Sequence, residues 1–538
     1  MKNKDLIKIQ KAMYDYMKKK AYAYEESHTR DLKSYHNNQN KLAKRRLYDS
    51  NLTEIMRSIK SSRSIYVGDF HTFDQSGRNI LRIFRQLLKL RKKLILGVEF
   101  VDHKHQVYIE QYIKGIISEL EFLESIEYHE SWRFPWVHYK FFFELAKEYD
   151  FKIIALNTSG TLKERDHFAA QIICDHLRTF EDHLFVTFFG ELHIFPNKLP
   201  QIVEKKYRST LKQTIIHQNL DEVYWKAITK ESKRRFFKFN KSEFILQTSP
   251  PWIKYESMIY WYEHLSDDPE FDIHEYVFES GLKSFDSNID ENFFNLSQHL
   301  NKIFNLPLKP EEIENFNLYD HTRLAFILSK IKKIKNKELN NFYNNLILHG
   351  KSFKIPFSYT YYCPSYSLNR IASLSGRHLY HLVQTKKNKD YDDLITGNIE
   401  EKFYHYFFMY YFSYLCTKVI NPYRKCDMYQ DFIETIDKTR NKTKKKYTEL
   451  AVEIIETPEI VKINLGKNDL RIVNSAAKAC AYFLADVSFE KFRNQKNKNL
   501  PKITSLFFNE NINQNLFSKV FKLTFGKNDF KNYKKHLF

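Results

Sequence analysis

The sequence predicts an α/β fold: a mostly parallel sheet with helices on both faces, followed by a large, mainly α-helical C-terminal region. Three observations predict it. Between about residues 62 and 218, short β-prone runs alternate with stretches of crossover length that carry helical spacing. Beyond about 220 the strand signal fades and amphipathic helical patterns take over. Gly (12) and Pro (13) are scarce in 538 residues, which argues against turn-rich all-β architectures and elastic or collagenous chains.

The elements follow in order. Residues 1–60 form a polar, basic arm with helical spacing, expected to be solvated; its first 50 residues carry 13 basic and 6 acidic side chains. Ser64–Val67 (SIYV) is the first strand of a domain spanning about 61–265. Gly77–Lys92 follows as an amphipathic helix with Ile80, Leu81, Ile83, Phe84, Leu87 and Leu88 on one side. Leu94–Val98 (LILGV) is the second strand, helical patterns cover 103–125 and 136–149, and Lys152–Leu156 (KIIAL) is the third strand. A helix over 163–178 leads to the fourth strand, Leu184–Phe189 (LFVTFF). A short helix near 197–206 precedes the fifth, Lys212–His217 (KQTIIH). Right-handed crossovers place the helices on both faces. Phe244–Gln247 (FILQ) is expected as an edge strand, and Thr248–Trp252 as a turn before a helix. Residues 266–538 are expected to be helices broken by Asn/Lys-rich stretches at Lys332–Asn341, Arg440–Lys446 and Arg493–Asn499.

Composition narrows the function classes. Hydrophobic residues make up 43% and charged residues 28%, as in globular chains. The net charge of +21 accompanies abundant Lys, Asn, Ile, Phe and Tyr, a codon-bias pattern, so no specific nucleic-acid partner is expected. Five scattered cysteines without a CxxC exclude a disulfide framework and a zinc ribbon, and fit a reducing compartment. The N-terminus shows neither a secretory h-region nor a lipobox, so the expectation is a cytoplasmic protein. The longest apolar run, Phe403–Cys416, has fourteen residues, too few for a bilayer. It is expected to be a buried aromatic helix, with no transmembrane segment.

The chemistry lies at the strand ends. In an open parallel sheet, ligands bind outside the carboxyl ends of the strands, where loops and helix N-termini converge. Those positions hold Gly68-Asp69-Phe70-His71, Gly97-Val98-Glu99-Phe100, Asn157-Thr158-Ser159 and Gly190-Glu191-Leu192-His193. Two imidazoles and a carboxylate (His71, Glu99, His193) at one sheet edge form a donor set for Fe, Mn or Zn, with Asp69 and Glu191 as supporting groups or further ligands. The GxxH pattern by itself is weak: 12 Gly and 21 His give about half a chance match in this length. Core or solvated loop histidines are the competing reading.

From about 62 to 218 the chain resembles the ChaN-like haem-binding domain family of the Tiki/TraB/erythromycin-esterase superfamily. The resemblance rests on Tyr66 through His71, Gly97-Val98-Glu99-Phe100, Trp136 through Asn157, Arg165-Asp166-His167-Phe168-Ala169-Ala170, Gly190 through His193 and Leu199-Pro200. It implies an α/β fold and haem or iron handling. The alternative it implies is metal-dependent hydrolysis of an ester or peptide bond, with His71, Glu99, His193 and Arg165 as catalytic residues and a divalent metal (Zn, Mn or Fe) on the first three. The implied partners are haem or a small-molecule or peptide substrate, and a homodimer is compatible. A third reading is a non-catalytic interaction protein on a degenerate α/β core. Trp132 and Trp136 are candidates for lining the pocket. In the helical region the segment Pro356–His381 is read as an aromatic loop followed by a helix capped by Ser365 or Ser367, with a second haem contact as its functional alternative.

Overall fold

The structure is a computed structural model describing residues 3–24, 37–42, 44–90, 93–207, 210–229, 235–264, 289–388, 391, 398–459, 463, 470–494, 499–525 and 529–538. The chain forms two compact units. One comprises Met13–Gly281 with Leu537–Phe538; the other comprises Met1–Ala12 with Leu282–His536.

The first unit is built on an eight-stranded sheet: β1 (Tyr48–Asp49), β2 (Ser64–Asp69), β3 (Leu94–Asp102), β4 (Lys152–Asn157), β5 (Leu184–Gly190), β6 (Gln213–Gln218), β7 (Phe236–Lys238) and β8 (Glu243–Leu246). The order is β1-β7-β8-β6-β2-β5-β3-β4. All pairs from β8 to β4 are parallel; β1–β7 and β7–β8 are antiparallel. The five predicted strands are all present. FILQ is a strand too, but not an edge: β7 and β1 extend the sheet beyond it, and runs of three and two residues are too short to signal in sequence.

Strand residues alternate between two cores. Ile65, Val67, Leu96, Val98, Val186 and Phe188 face one side, with Ile80, Phe84 and Leu87 of helix Asp74–Lys89. Tyr66, Ile95, Leu156, Phe185 and Phe189 face the other, with Ala169, Ala170 and Ile173 of helix Leu162–Thr179. The 103–125 pattern is interrupted: Gln106–Ile113 ends and Glu119–Ser125 starts anew, because Ser118 and Glu121 form a reciprocal capping box.

The arm is not simply solvated. It is helical over Asn3–Ala23, Tyr14 is buried, and its hydroxyl donates to Asp221 Oδ2 at 3.0 Å. Arg45, part of a basic run, makes a bidentate pair with buried Glu243 at 2.7 and 2.6 Å.

The second unit is mainly helical. Its centre is the aromatic helix Ile399–Ile420, packed against Leu368–Lys387 and Leu470–Arg493. Buried tyrosines require hydrogen-bond partners. Tyr410, Tyr411 and Tyr414 donate to Asn474, Ser488 and Asp486 of the last of these helices at 3.0, 2.7 and 3.0 Å. Gly376 lets two of the helices approach closely, since a Cβ there would lie 2.8 Å from Ser413 Cα. Two of the polar stretches expected to break helices do separate them, and each also starts the next one: Leu324–Lys332 and Tyr429–Lys438 end there, and Asn336 and Asn441 cap Lys337–Leu348 and Lys442–Glu456. The aromatic segment before Ser367 contains a strand, β11 (Thr360–Tyr362), in a small sheet with β9 (Asn317–Tyr319) and β10 (Phe353–Lys354). Ser367 caps the following helix. On that helix His378 is a core histidine: Tyr361 Oη lies 2.9 Å from Nδ1 and Ile313 O lies 2.8 Å from Nε2. Both nitrogens are occupied, so His378 offers no haem ligand. The expected start of the helical region near 266 and residues 495–498 fall outside the described residues. No described helix is long and apolar enough to cross a membrane.

Candidate functional site

The carboxyl ends of β2, β5 and β3 lie side by side, because β5 sits between the other two. Asp69 pairs in register with Gly190, and Val98 with Phe188, so the segments ending in His71, Glu99 and His193 emerge next to one another. The structure brings all three together around the Glu99 carboxylate. His71 Nε2 lies 3.8 Å from Glu99 Oε2, and His193 Nε2 lies 3.5 Å from Glu99 Oε1. Gly190 makes this convergence possible. Its amide donates to Glu99 Oε2 at 2.6 Å, and a Cβ at this position would lie 3.1 Å from both Glu99 Oε2 and His71 Nε2.

Arg165 reaches the same carboxylate from helix Leu162–Thr179. Thr161 and Glu164 form a capping box that fixes where the helix starts, which sets Arg165 in its second turn. Its Nη2 donates to Glu99 Oε1, and its Nε donates to Asn157 Oδ1 at 2.9 Å.

Each imidazole is held from behind by a carboxylate. His71 Nδ1 is 2.9 Å from Asp69 Oδ2, which also accepts from the Tyr139 hydroxyl at 3.1 Å. His193 Nδ1 is 2.5 Å from Asp166 Oδ1. A carboxylate only accepts, so in both rings Nδ1 carries the proton and Nε2 presents a lone pair when the ring is neutral. Two lone pairs and a buried carboxylate therefore converge on one spot, which favours a proton or a cation there. Burial pulls the His71 imidazole down, but Asp69 and Glu99 outweigh it and raise the group above its ordinary value. Burial pushes the Glu99 carboxyl up. His193, His71, Arg165 and the Gly190 amide overcome that and hold it below the usual carboxylate range.

Asp166 is a participant the residue pattern alone did not single out as a partner of His193. It stands beside Arg165, one residue further along the helix, and nothing in its spacing from His193 reveals the contact. Asp69 takes the supporting role expected of it. Glu191 is buried but is not among the contacts of either imidazole.

Exposure separates the two histidines. The His193 side chain is 3% exposed and that of His71 is 24%. The His71 ring lies 4.6 Å from Trp132 and 4.9 Å from Phe134, centroid to centroid, and Phe134 stacks on Trp261 at 4.7 Å. Trp132 thus borders the site, whereas Trp136 is buried in the core against Phe122 and Phe143. Among the described residues no group of three His, Cys, Asp or Glu is arranged to hold a metal ion. At this site both Glu99 oxygens already accept hydrogen bonds, from Arg165 and from Gly190.

Comparison with known proteins bears on the same segment. A family model described as "Haem-binding uptake, Tiki superfamily, ChaN" matches residues 55–165, which includes His71, Glu99 and Arg165 and stops short of Asp166 and His193. No curated protein matches the chain. A solved structure titled "Cofacial heme binding to ChaN of Campylobacter jejuni" is similar at 12% identity, covering 32% of this chain and 89% of that one, with a TM-score of 0.27. On the family match, the α/β unit of this chain carries a ChaN-like domain of the Tiki superfamily.

Proposed function

We propose that the α/β unit binds haem, with His71 as the residue that meets it. The observation that carries this reading is the placement of His71 inside the segment matched by the haem-binding family, partly exposed, with Trp132 and Phe134 against its ring. The residues fit the group. Asp69 fixes Nδ1 as the protonated nitrogen, so a neutral imidazole would meet iron through Nε2, the nitrogen that faces Glu99 at 3.8 Å. The aromatic rings offer the apolar contact that a macrocycle requires. His193 is too enclosed to serve without rearrangement. Bound haem would supply an iron centre suited to transport or redox chemistry. The protein's part is to hold the imidazole in one tautomer and to shield the bound face from water.

The test is titration of haem into the full chain, followed by its Soret absorbance. The expected result is a saturable, shifted band that weakens in His71→Ala. A spectrum indistinguishable from free haem overturns the reading.

One observation favours a second reading: each imidazole forms an Asp–His pair whose Nε2 is free to take a proton. In hydrolysis, one Nε2 would remove a proton from water, the resulting hydroxide would attack an ester or amide carbonyl, and the proton would pass to the leaving group. Arg165 would steady the developing oxyanion. This route leaves the Glu99–Arg165 pair intact. A divalent metal or iron on His71, Glu99 and His193 would have to share the Glu99 carboxylate with Arg165 and the Gly190 amide. An ester and peptide hydrolysis screen with and without chelator distinguishes them: activity that survives chelation supports the metal-free route, and activity abolished by it supports the metal.

A further inference from the structure

The helical unit contains a cavity of about 170 Å³, bordered by Lys337–Leu348, Leu368–Lys387, Ile399–Ile420, Leu470–Arg493 and the β10 segment. Part of its lining is apolar and aromatic, including Phe342, Leu346 and Tyr406. The rest includes four cations, Lys351, Lys354, Arg377 and Lys478, and no carboxylate lines it among the described residues.

Arg377 is 8% exposed. Its Nη1 donates to Ser352 O at 2.8 Å, while its Nε is buried without a hydrogen-bond partner. Its guanidinium lies over the Tyr410 ring at 5.1 Å. The Lys478 ammonium lies 5.7 Å from the same ring and 5.3 Å from that of Tyr482, and among the described residues it makes no ion pair. Like charges gathered in a partly dry site, with no acid to balance them, leave a positive potential that an anion relieves. The neighbouring groups respond to that potential. Burial raises the Tyr482 phenol, yet Lys478, Arg424 and Arg377 bring it down to about 8. Lys478 is pulled below its usual value: Tyr482 favours its charge, but burial and the cations Arg377, Lys351 and Arg424 prevail.

Size limits the occupant. An engineered apolar cavity of about 150 Å³ takes one benzene molecule. A haem macrocycle or a nucleotide is far too large for a space of this order.

We propose that this cavity binds a small organic acid, a body of single-ring size seated among the aromatic side chains with its carboxylate or phosphate held by Arg377 and Lys478. The planar guanidinium suits a two-oxygen acid group, and the ammonium adds a second positive charge. This site is independent of the one at the sheet edge.

Calorimetric titration of the full chain with benzoate, phenyl phosphate and benzyl alcohol tests it. At least one of the two acids is expected to bind at a single site, with the neutral alcohol about tenfold weaker or worse. The tighter acid identifies the carboxylate or phosphate class. Lys478→Gln is expected to weaken that acid by about tenfold while the haem titration of the same variant stays unchanged. Lys351→Gln, at an exposed position, serves if the first variant does not fold, with a smaller loss in the same direction. Binding of neither acid at millimolar concentration overturns the proposal, as does equal binding of the alcohol or wild-type affinity in the variants.

Discussion

Replacement of Arg165 by Met tests how the site is held together. The Glu99 side chain is 4% exposed and that of Arg165 is 19%. Removing one partner of a buried ion pair costs about 3–5 kcal/mol, because the other charge is left behind. Here Arg165 is partly wetted, and Glu99 keeps the Gly190 amide, so the lower end applies, about 3 kcal/mol at alkaline pH. For a unit of this size each kcal/mol moves Tm by about 2–4 °C, so the midpoint should fall by ~6–12 °C.

The loss should depend on pH. The His71 imidazole is raised from 6.5, so its contribution is full below that value and fades as pH rises through the folded one. The Glu99 carboxyl is lowered from 4.5, so its contribution is present above that value and is lost as pH falls through the folded one. In the variant, the protonated His71 imidazole takes over the role of the guanidinium. Arg165 is also a charge that opposes His71 protonation, so its removal raises His71 further. The destabilisation should therefore shrink between about pH 8 and about pH 6. Tryptophan fluorescence reads the correct unit, because all five tryptophans (Trp132, Trp136, Trp225, Trp252 and Trp261) lie in Met13–Gly281. An equal loss at both pH values, or none at either, would refute the electrostatic account of the cluster.

Gly190→Ala places a methyl group 3.1 Å from both Glu99 Oε2 and His71 Nε2; it should cost about 1–3 kcal/mol by overpacking and disturb haem binding, as read by urea denaturation and the Soret titration. Lys418→Met removes a 1%-exposed ammonium that lies 2.9 Å from Asp486 and 3.1 Å from Glu490. It should cost about 3–5 kcal/mol in the helical unit, lowering its calorimetric transition while leaving the tryptophan-reported one in place.

The α/β fold was legible because each parallel strand is a short apolar run bounded by polar turns, and such runs signal by themselves. β1 and β7 were not, since two or three residues carry no period, and neither was the small sheet of the helical unit. The interior position of β8 follows from strands that sequence does not announce. At the site, His71 and His193 could be named because they stand just after β2 and β5, and Glu99 because it lies near the carboxyl end of β3; topology sends those strand ends to one edge. Asp166 could not be paired with His193, because that contact depends on where the capped helix Leu162–Thr179 is docked. The basic arm shows the same limit: charge counting described Arg45 as solvated, whereas folding delivers it to Glu243.

The sequence by itself determined the strand-and-helix order, the aromatic core helix and the residue types available at the sheet edge, because these follow from local periodicity and from position after a strand. Only the tertiary structure decided which nitrogen of each imidazole faces Glu99, which carboxylate backs it, and that Glu99 is already engaged by Arg165. Those are distances between residues far apart in the chain, and they are set by packing rather than by spacing.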